Sequence, residues 1–278
     1  MDGFSNTVIA TIPVGSSGPF GVAVNSTTNR IYVTNLASNN VSVIDGFSNT
    51  VITTVLVGVS PAGVAVNPTT NRIYVANVAS NDVSVIDGFS NTVTATVPVG
   101  TNPRDVAVNP TTNRIYTVNF SSNDVSVIDG FSNTVIATVP VGVTPFGIAV
   151  NPTTNRIYVT NANTDDVSVI DGLSNTVIAT VPVGLTPDGI AVNPITNRIY
   201  VVNTSSNDVS VIDGVSNTVI ATIPVGNSPR DVGVNPLTNG IYVSNGGSNN
   251  VSVISGNTNT VIDTVPVGND PRGVDINP

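Results

Sequence analysis

Asn67 to Gly100 reads NPTTNRIYVANVASNDVSVIDGFSNTVTATVPVG, and with the PAGVAV segment before it (Pro61–Val66) it makes one unit of a near-perfect internal repeat. The Asp-Gly landmark of this unit falls at Asp2, Asp45, Asp87, Asp129, Asp171 and Asp213, with Ser255 in the last copy, so the spacing is 43 residues once and 42 thereafter. Each unit holds four runs of strand-forming residues separated by polar connectors. A fixed period near forty with four strands per unit specifies an all-β β-propeller. One blade cannot bury its own faces, so residues 1–278 are expected to form a single domain.

Four strands recur in each copy. In the first full unit, strand A is Gly63–Asn67, strand B Arg72–Asn77, strand C Val83–Asp87 and strand D Thr92–Val99. The connectors are short and polar, as hairpin turns require, so successive strands are antiparallel neighbours. Strands A to C are apolar on both faces, the pattern of strands covered on both sides. Strand D alternates, with Val93, Ala95 and Val97 against Thr92, Thr94 and Thr96, and ends in a recurrent proline: Pro13, Pro98, Pro140, Pro182, Pro224 and Pro266, with Leu56 the exception. Proline lacks the N–H that a central strand donates, which places strand D on the outer rim and strand A innermost.

Ring closure is the open question of this pattern. Strand A occurs seven times, B and C six times each, and D seven times, leaving an N-terminal D strand (Thr7–Val14) and a C-terminal A strand (Gly273–Asn277) beyond six full units. The expected solution is a seven-bladed type of ring with six complete blades and a two-stranded remnant blade. In it the first D strand slides inward and pairs antiparallel with the last A strand, bringing Ala10 near Asp275. The extra residue in the GSSGPFG loop (Gly15–Gly21) fits such a displacement. The alternative is a six-bladed ring with redundant terminal strands, available for self-association.

Tyr32-Val33-Thr34-Asn35 and Tyr158-Val159-Thr160-Asn161 spell YVTN, in register with VSVID and ATVPVG. The chain resembles, along its whole length, the YVTN-repeat β-propellers, including those of archaeal and bacterial surface-layer proteins. The resemblance implies an extracellular or cell-surface protein, usually seven-bladed, with a binding or structural role. Related propellers include a streptogramin-cleaving lyase whose metal-assisted chemistry needs a histidine. This chain has none, so that activity does not carry over.

The composition narrows the chemistry further. Cys, His, Trp, Lys, Glu and Gln are all absent, the eight basic residues are Arg, and the seventeen acidic ones are Asp. No conventional triad or general-base pair can be assembled, so no catalytic residue and no enzyme activity is expected. Without Cys there is no disulfide or thiolate metal site. Asp165-Asp166 and the SND aspartates Asp82, Asp124 and Asp208 are conceivable calcium ligands, but no DxDxDG loop supports them, and no metal or cofactor is expected. A net charge of −9 argues against nucleic acid. No run is long and apolar enough for a membrane span. The opening MDGFSNTVIA has neither a basic nor a long apolar segment, so it does not read as a signal peptide, and a cytoplasmic location stays open beside the extracellular one.

The repeated residues read as structural. The Asp of Asp-Gly caps the C–D turn through Asx bonding. Arg30, Arg72, Arg114, Arg156 and Arg198 read as ion-pair or carbonyl-binding residues at blade interfaces, and the Tyr of strand B packs between blades with its hydroxyl bonded. What differs between copies points to function instead. The A–B and C–D loops barely vary and lie on one face. The D–A and B–C loops vary and lie on the other. Binding residues concentrate on loops held by a rigid scaffold. The candidate ligand-binding residues on this face are therefore Phe20, Arg104, Phe146, Asp188, Arg230 and Arg272. The phenylalanines are positioned to stack on a ligand, and the arginines to hold an anionic group of a protein or glycan. The leading expectation is a non-enzymatic interaction module. The alternative is a purely structural repeat of a surface lattice or self-assembling spacer, and an enzyme is a distant third.

Overall fold

The computed structural model describes residues 1–15 and 18–277. Its 24 strands form six four-stranded antiparallel sheets, each in sequence order. The first blade comprises β1 (Pro19–Asn25), β2 (Arg30–Asn35), β3 (Asn40–Asp45) and β4 (Thr50–Leu56). The second comprises β5 (Pro61–Asn67), β6 (Arg72–Asn77), β7 (Asp82–Asp87) and β8 (Thr92–Pro98). The inner strands of the other four blades are β9 (Pro103–Asn109), β13 (Pro145–Asn151), β17 (Pro187–Asn193) and β21 (Pro229–Asn235). The outer strand of the last blade is β24 (Thr260–Pro266). The inner strands pack on one another in chain order around an axis. The outer strands are largely exposed, as their alternation and terminal prolines require.

The core lies between blades. Tyr74, Val83, Val85 and Val97 of the second blade pack against Val106, Ile115 and Ile128 of the third, and the same interleaving repeats around the disc. Every connector carries one residue in the left-handed region, usually Asn: Asn71, Asn81 and Asn91 in the second blade, with φ of 51°, 57° and 53°. Asn tolerates that region through local side-chain bonding, so the Asn-rich connectors are the turn chemistry of the fold.

The expected seven-bladed ring and its remnant blade are not found; the blades number six. Residues 1–15 hold only an isolated Asp2–Thr7 bridge, and residues 267–277 hold no strand. Side-chain contacts tie the N-terminal segment to the last blade. Asn6 Nδ2 donates to Asp263 on β24 at 3.0 Å, and the Tyr242 hydroxyl reaches the Gly3 carbonyl at 3.5 Å. The C-terminal segment lies inward instead. Val274 and Ile276 cover Tyr242, Val251, Val253 and Val265 of the last blade, while Gly273 approaches the Phe20 carbonyl. Its backbone is engaged by side chains rather than by a strand. Val274 N–H donates to Asp231, and the Ser244 hydroxyl donates to the Arg272 carbonyl at 2.5 Å. The Asp275 carboxylate accepts Val24 N–H of the first blade at 2.7 Å. Of the GSSGPFG loop, Ser16 and Ser17 lie outside the described residues.

The repeated charged residues behave as read. The Asp87 carboxylate accepts the N–H of Phe89 and Ser90, and the Ser90 N–H above all holds it below the ordinary carboxylate value. Arg30 and Arg72 each donate to a glycine carbonyl of the next blade, Gly88 and Gly130, at 2.7 and 2.8 Å. The tyrosines differ from expectation. Tyr32, Tyr74, Tyr116, Tyr158 and Tyr200 are fully buried, but among the described residues their hydroxyls have no hydrogen-bond partner. Packing of the ring holds them, and desolvation raises their pKa values, that of Tyr116 to about 12.

Candidate functional site: the axial mouth

The two loop faces are separated as the repeat implies. C–D turns bond A–B turns, as in Gly46 N–H to the Asn29 carbonyl, and B–C turns bond D–A loops, as in Val78 N–H to the Ser60 carbonyl. Each D–A loop is fastened by the preceding B–C loop. The N–H of Ser60, Asn102, Thr144, Thr186 and Ser228 donates to the side-chain oxygen of Asn39, Asn81, Asn123, Asp165 and Asn207 respectively, at 2.8–2.9 Å. These five loop residues all have positive φ, and Thr144 and Thr186 are β-branched residues that seldom adopt it. The clamp makes the loop conformation specific at that cost.

Directly after each clamp the inner strand bulges. Pro103 faces Asn119 and Asp105 faces Val118, so Arg104 is the extra residue. Arg230 is extra in the same way, and Phe146-Gly147 and Asp188-Gly189 stand in the bulges of their strands. A bulge bends its strand and re-aims a side chain. Here the bulges bring Phe20, Arg104, Phe146, Asp188 and Arg230 around one cavity of about 130 Å³ at the axis, and the strandless C-terminal segment adds Arg272. All six residues singled out in the sequence meet there.

Their roles within the cavity differ from the simple expectation. The Arg104 guanidinium carbon lies 4.4 Å from the Phe146 ring centroid and 5.0 Å from that of Phe20, so the cation is held between two aromatic rings. Arg272 lies 5.5 Å from the same Phe20 ring. Cation–π contact of this kind holds a guanidinium in place at a desolvated site. The phenylalanines thus position arginine, and the ring faces turned to Arg104 are occupied by it rather than open to a ligand. Phe120 buttresses Phe146 edge-on, with centroids 6.2 Å apart. Arg272 also pairs with Asp270 at 2.8 Å. The Nε atoms of Arg104 and Arg230 are buried, with no hydrogen-bond partner among the described residues.

Three further carboxyls were missed. Asp105 and Asp231 also line the mouth, and with Asp275 they line the channel below it, about 330 Å³ and otherwise walled by Val, Ala, Ile190 and Gly233. Each bridges two inner segments. Asp105 accepts the N–H of Val106 and Ile148, Asp231 those of Val232 and Val274, and Asp275 those of Ile276 and Val24. Innermost strands have no sheet neighbour toward the axis, and these carboxylates take up their free donors. Desolvation pushes Asp105 up to about 6, Asp231 to about 8 and Asp188 to about 7. Asp275 faces the channel and is solvent-accessible by area, but protein surrounds it on all sides, and desolvation raises it to about 6. The signal was present in the repeat: Asp105 and Asp231 replace the glycine of the other copies, and Asp275 replaces the usual alanine.

Among the described residues no group of three or more acidic side chains is arranged to hold a metal ion. No protein-family model matches this chain, and no curated protein matches it in sequence. Its fold does match a solved structure, Kuenenia stuttgartiensis hydrazine synthase. The TM-score is 0.84 over 94% of this chain and 90% of that chain, at 19% identity. At that identity the likeness shows the propeller fold alone.

Proposed function

We propose that this propeller is a non-enzymatic binding module whose axial mouth holds an anionic group, a carboxylate or sulfate, presented by a protein or glycan. The observation that carries this reading is the convergence of Arg104, Arg230 and Arg272 on one cavity of a chain with net charge −9. Every arginine outside the mouth belongs to the repeated blade-interface set, so these three are the ones the blade architecture does not use. Guanidinium groups recognise carboxylate and sulfate in a planar, bidentate manner. The absence of His, Cys, Lys and Glu favours binding over catalysis. The resemblance to YVTN-repeat propellers, carried by the in-register YVTN phrases, is what favours an extracellular or cell-surface location. Binding of sulfate and succinate by calorimetry tests the reading. Arg230→Ala with Arg272→Ala should weaken either anion by at least about tenfold, the order expected for lost charge-assisted bonds. Unchanged affinity in that double variant refutes the assignment.

A structural role in a self-assembling lattice is the second reading, favoured by the opposite face. There the C–D turns of the first five blades each expose one large apolar residue, Phe47, Phe89, Phe131, Leu173 and Val215, each at least 78% accessible, while the sixth carries Asn257. An apolar circlet of this kind marks a contact surface. Light scattering after size exclusion distinguishes the two readings. Self-association that disappears on changing Phe47, Phe89 and Phe131 to Ser supports the lattice; a monomer at all concentrations argues against it.

A further inference from the structure

The three carboxyls of the mouth are not equivalent. Asp105 and Asp231 are each committed to two backbone N–H groups, that of the following residue and one of the neighbouring inner segment. The Asp188 side chain has no such bond among the described residues, and it makes no ion pair within 4.0 Å there either. It nevertheless lies in the field of Arg230, Arg104 and Arg272, with Asp105 opposing them. The charged groups lining this cavity are those three arginines, Asp105, Asp188 and Asp231; β1, β5 and β13 contribute only Phe, Gly and Val. Asp270 pairs with Arg272 at 2.8 Å and is committed there, so an ionised Asp188 is the uncommitted negative charge that competes with an incoming anion for the guanidinium groups.

We propose that the axial cavity takes up a small oxyanion together with a proton, the anion lying among Arg104, Arg230 and Arg272 and the proton residing on the Asp188 carboxyl. The inference rests on the anion-binding reading above and adds its regulation. Four features support it. The cavity has room for a ligand, since one water needs only about 10–15 Å³ on the same measure. The Nε donors of Arg104 and Arg230 are buried and unpartnered among the described residues. Two like charges facing one another in a desolvated site repel strongly, so anion and ionised Asp188 exclude each other. Finally, burial already places Asp188 at about 7, where a small change in surroundings decides its state. The carboxylic acid form also acquires an O–H donor that can bond the anion.

Calorimetric titration of the intact chain with succinate, and separately with sulfate, tests this at pH 6 and pH 9. Repeating each titration near pH 7.5 in buffers of different ionisation enthalpy counts protons without any variant. The expected result is proton uptake on binding and an affinity at least about tenfold lower at pH 9 than at pH 6, as linkage requires. Asp188→Asn, which breaks no hydrogen bond described above, should bind at both pH values with the high affinity and take up no proton at that site. Binding with no pH dependence and no proton uptake overturns the coupling while leaving the anion site standing. A pH dependence that survives in Asp188→Asn overturns the assignment to Asp188. No binding of either anion at either pH overturns the anion-binding reading itself, and the coupling with it.

Discussion

Asn277 Nδ2 donates to Asn29 Oδ1 at 2.9 Å, joining residues 248 positions apart in the chain. The same bond links successive blades elsewhere: Asn25 to Asn71, Asn67 to Asn113, Asn109 to Asn155, Asn151 to Asn197 and Asn193 to Asn239, all at 2.7–2.8 Å. The last residue of each of the first five inner strands thus binds the left-handed Asn of the next A–B turn. The C-terminal segment contributes one member of this belt although it forms no strand.

Burial sets how much each of these bonds matters. Asn67 is fully buried, and its Oδ1 also accepts the N–H of Thr69 and Thr70. Asn67→Ala leaves these groups unpaired and should cost about 2–3 kcal/mol. Asn277 is exposed, so Asn277→Ala should cost less than about 1 kcal/mol. Denaturant unfolding of the two variants measures both; equal losses would contradict the ranking.

Tyr74→Phe removes a buried hydroxyl with no partner among the described residues, and should change stability by less than about 0.5 kcal/mol or raise it. Tyr74→Ala instead opens a cavity between blades and should cost about 3–5 kcal/mol. A large loss in the Phe variant would reveal a hydroxyl partner, such as a bound water.

Stability should decline as pH rises through the neutral range. Asp105, Asp188, Asp231 and Asp275 have folded values of about 6 to 8 against an ordinary 3.8. Between these limits the folded state keeps protons that the unfolded chain releases, so stability falls with increasing pH and levels off above about 8. The turn aspartates Asp45, Asp87 and Asp129 are depressed, and their contribution is lost in the opposite direction, as pH falls below the ordinary carboxylate value. Melting temperature should therefore be higher at pH 5.5 than at pH 9. A flat or reversed profile over that range would show that desolvation does not govern the axial carboxyls.

Phe146→Ala removes one of the two rings that hold Arg104 and should weaken succinate or sulfate binding by several-fold, with little change elsewhere in the disc. Calorimetry on this variant, beside its melting temperature, separates loss of positioning from loss of folding. Tighter anion binding in Phe146→Ala would mean that the ring restrains Arg104 from its ligand.

Much of the molecule was legible in the repeat itself. A 42-residue period with four apolar runs dictates stacked antiparallel blades, because no blade can hide its own faces. The terminal prolines marked the rim, and the residues that broke the repeat marked the mouth. Local pattern could not settle the rest. Whether Thr7–Val14 pairs with Gly273–Asn277 depends on competing contacts, and the rim contacts of Asn6 and the side-chain bonds of Asp231 and Asp275 prevail over a ladder. The bulges that turn Arg104 and Arg230 inward arise from inter-strand register. The sandwiching of Arg104 between Phe20 and Phe146 joins three repeats. A periodic sequence specifies what every blade shares. Where the ring closes, and which odd residues meet at its axis, follow from distances between blades, which exist only once the disc is assembled.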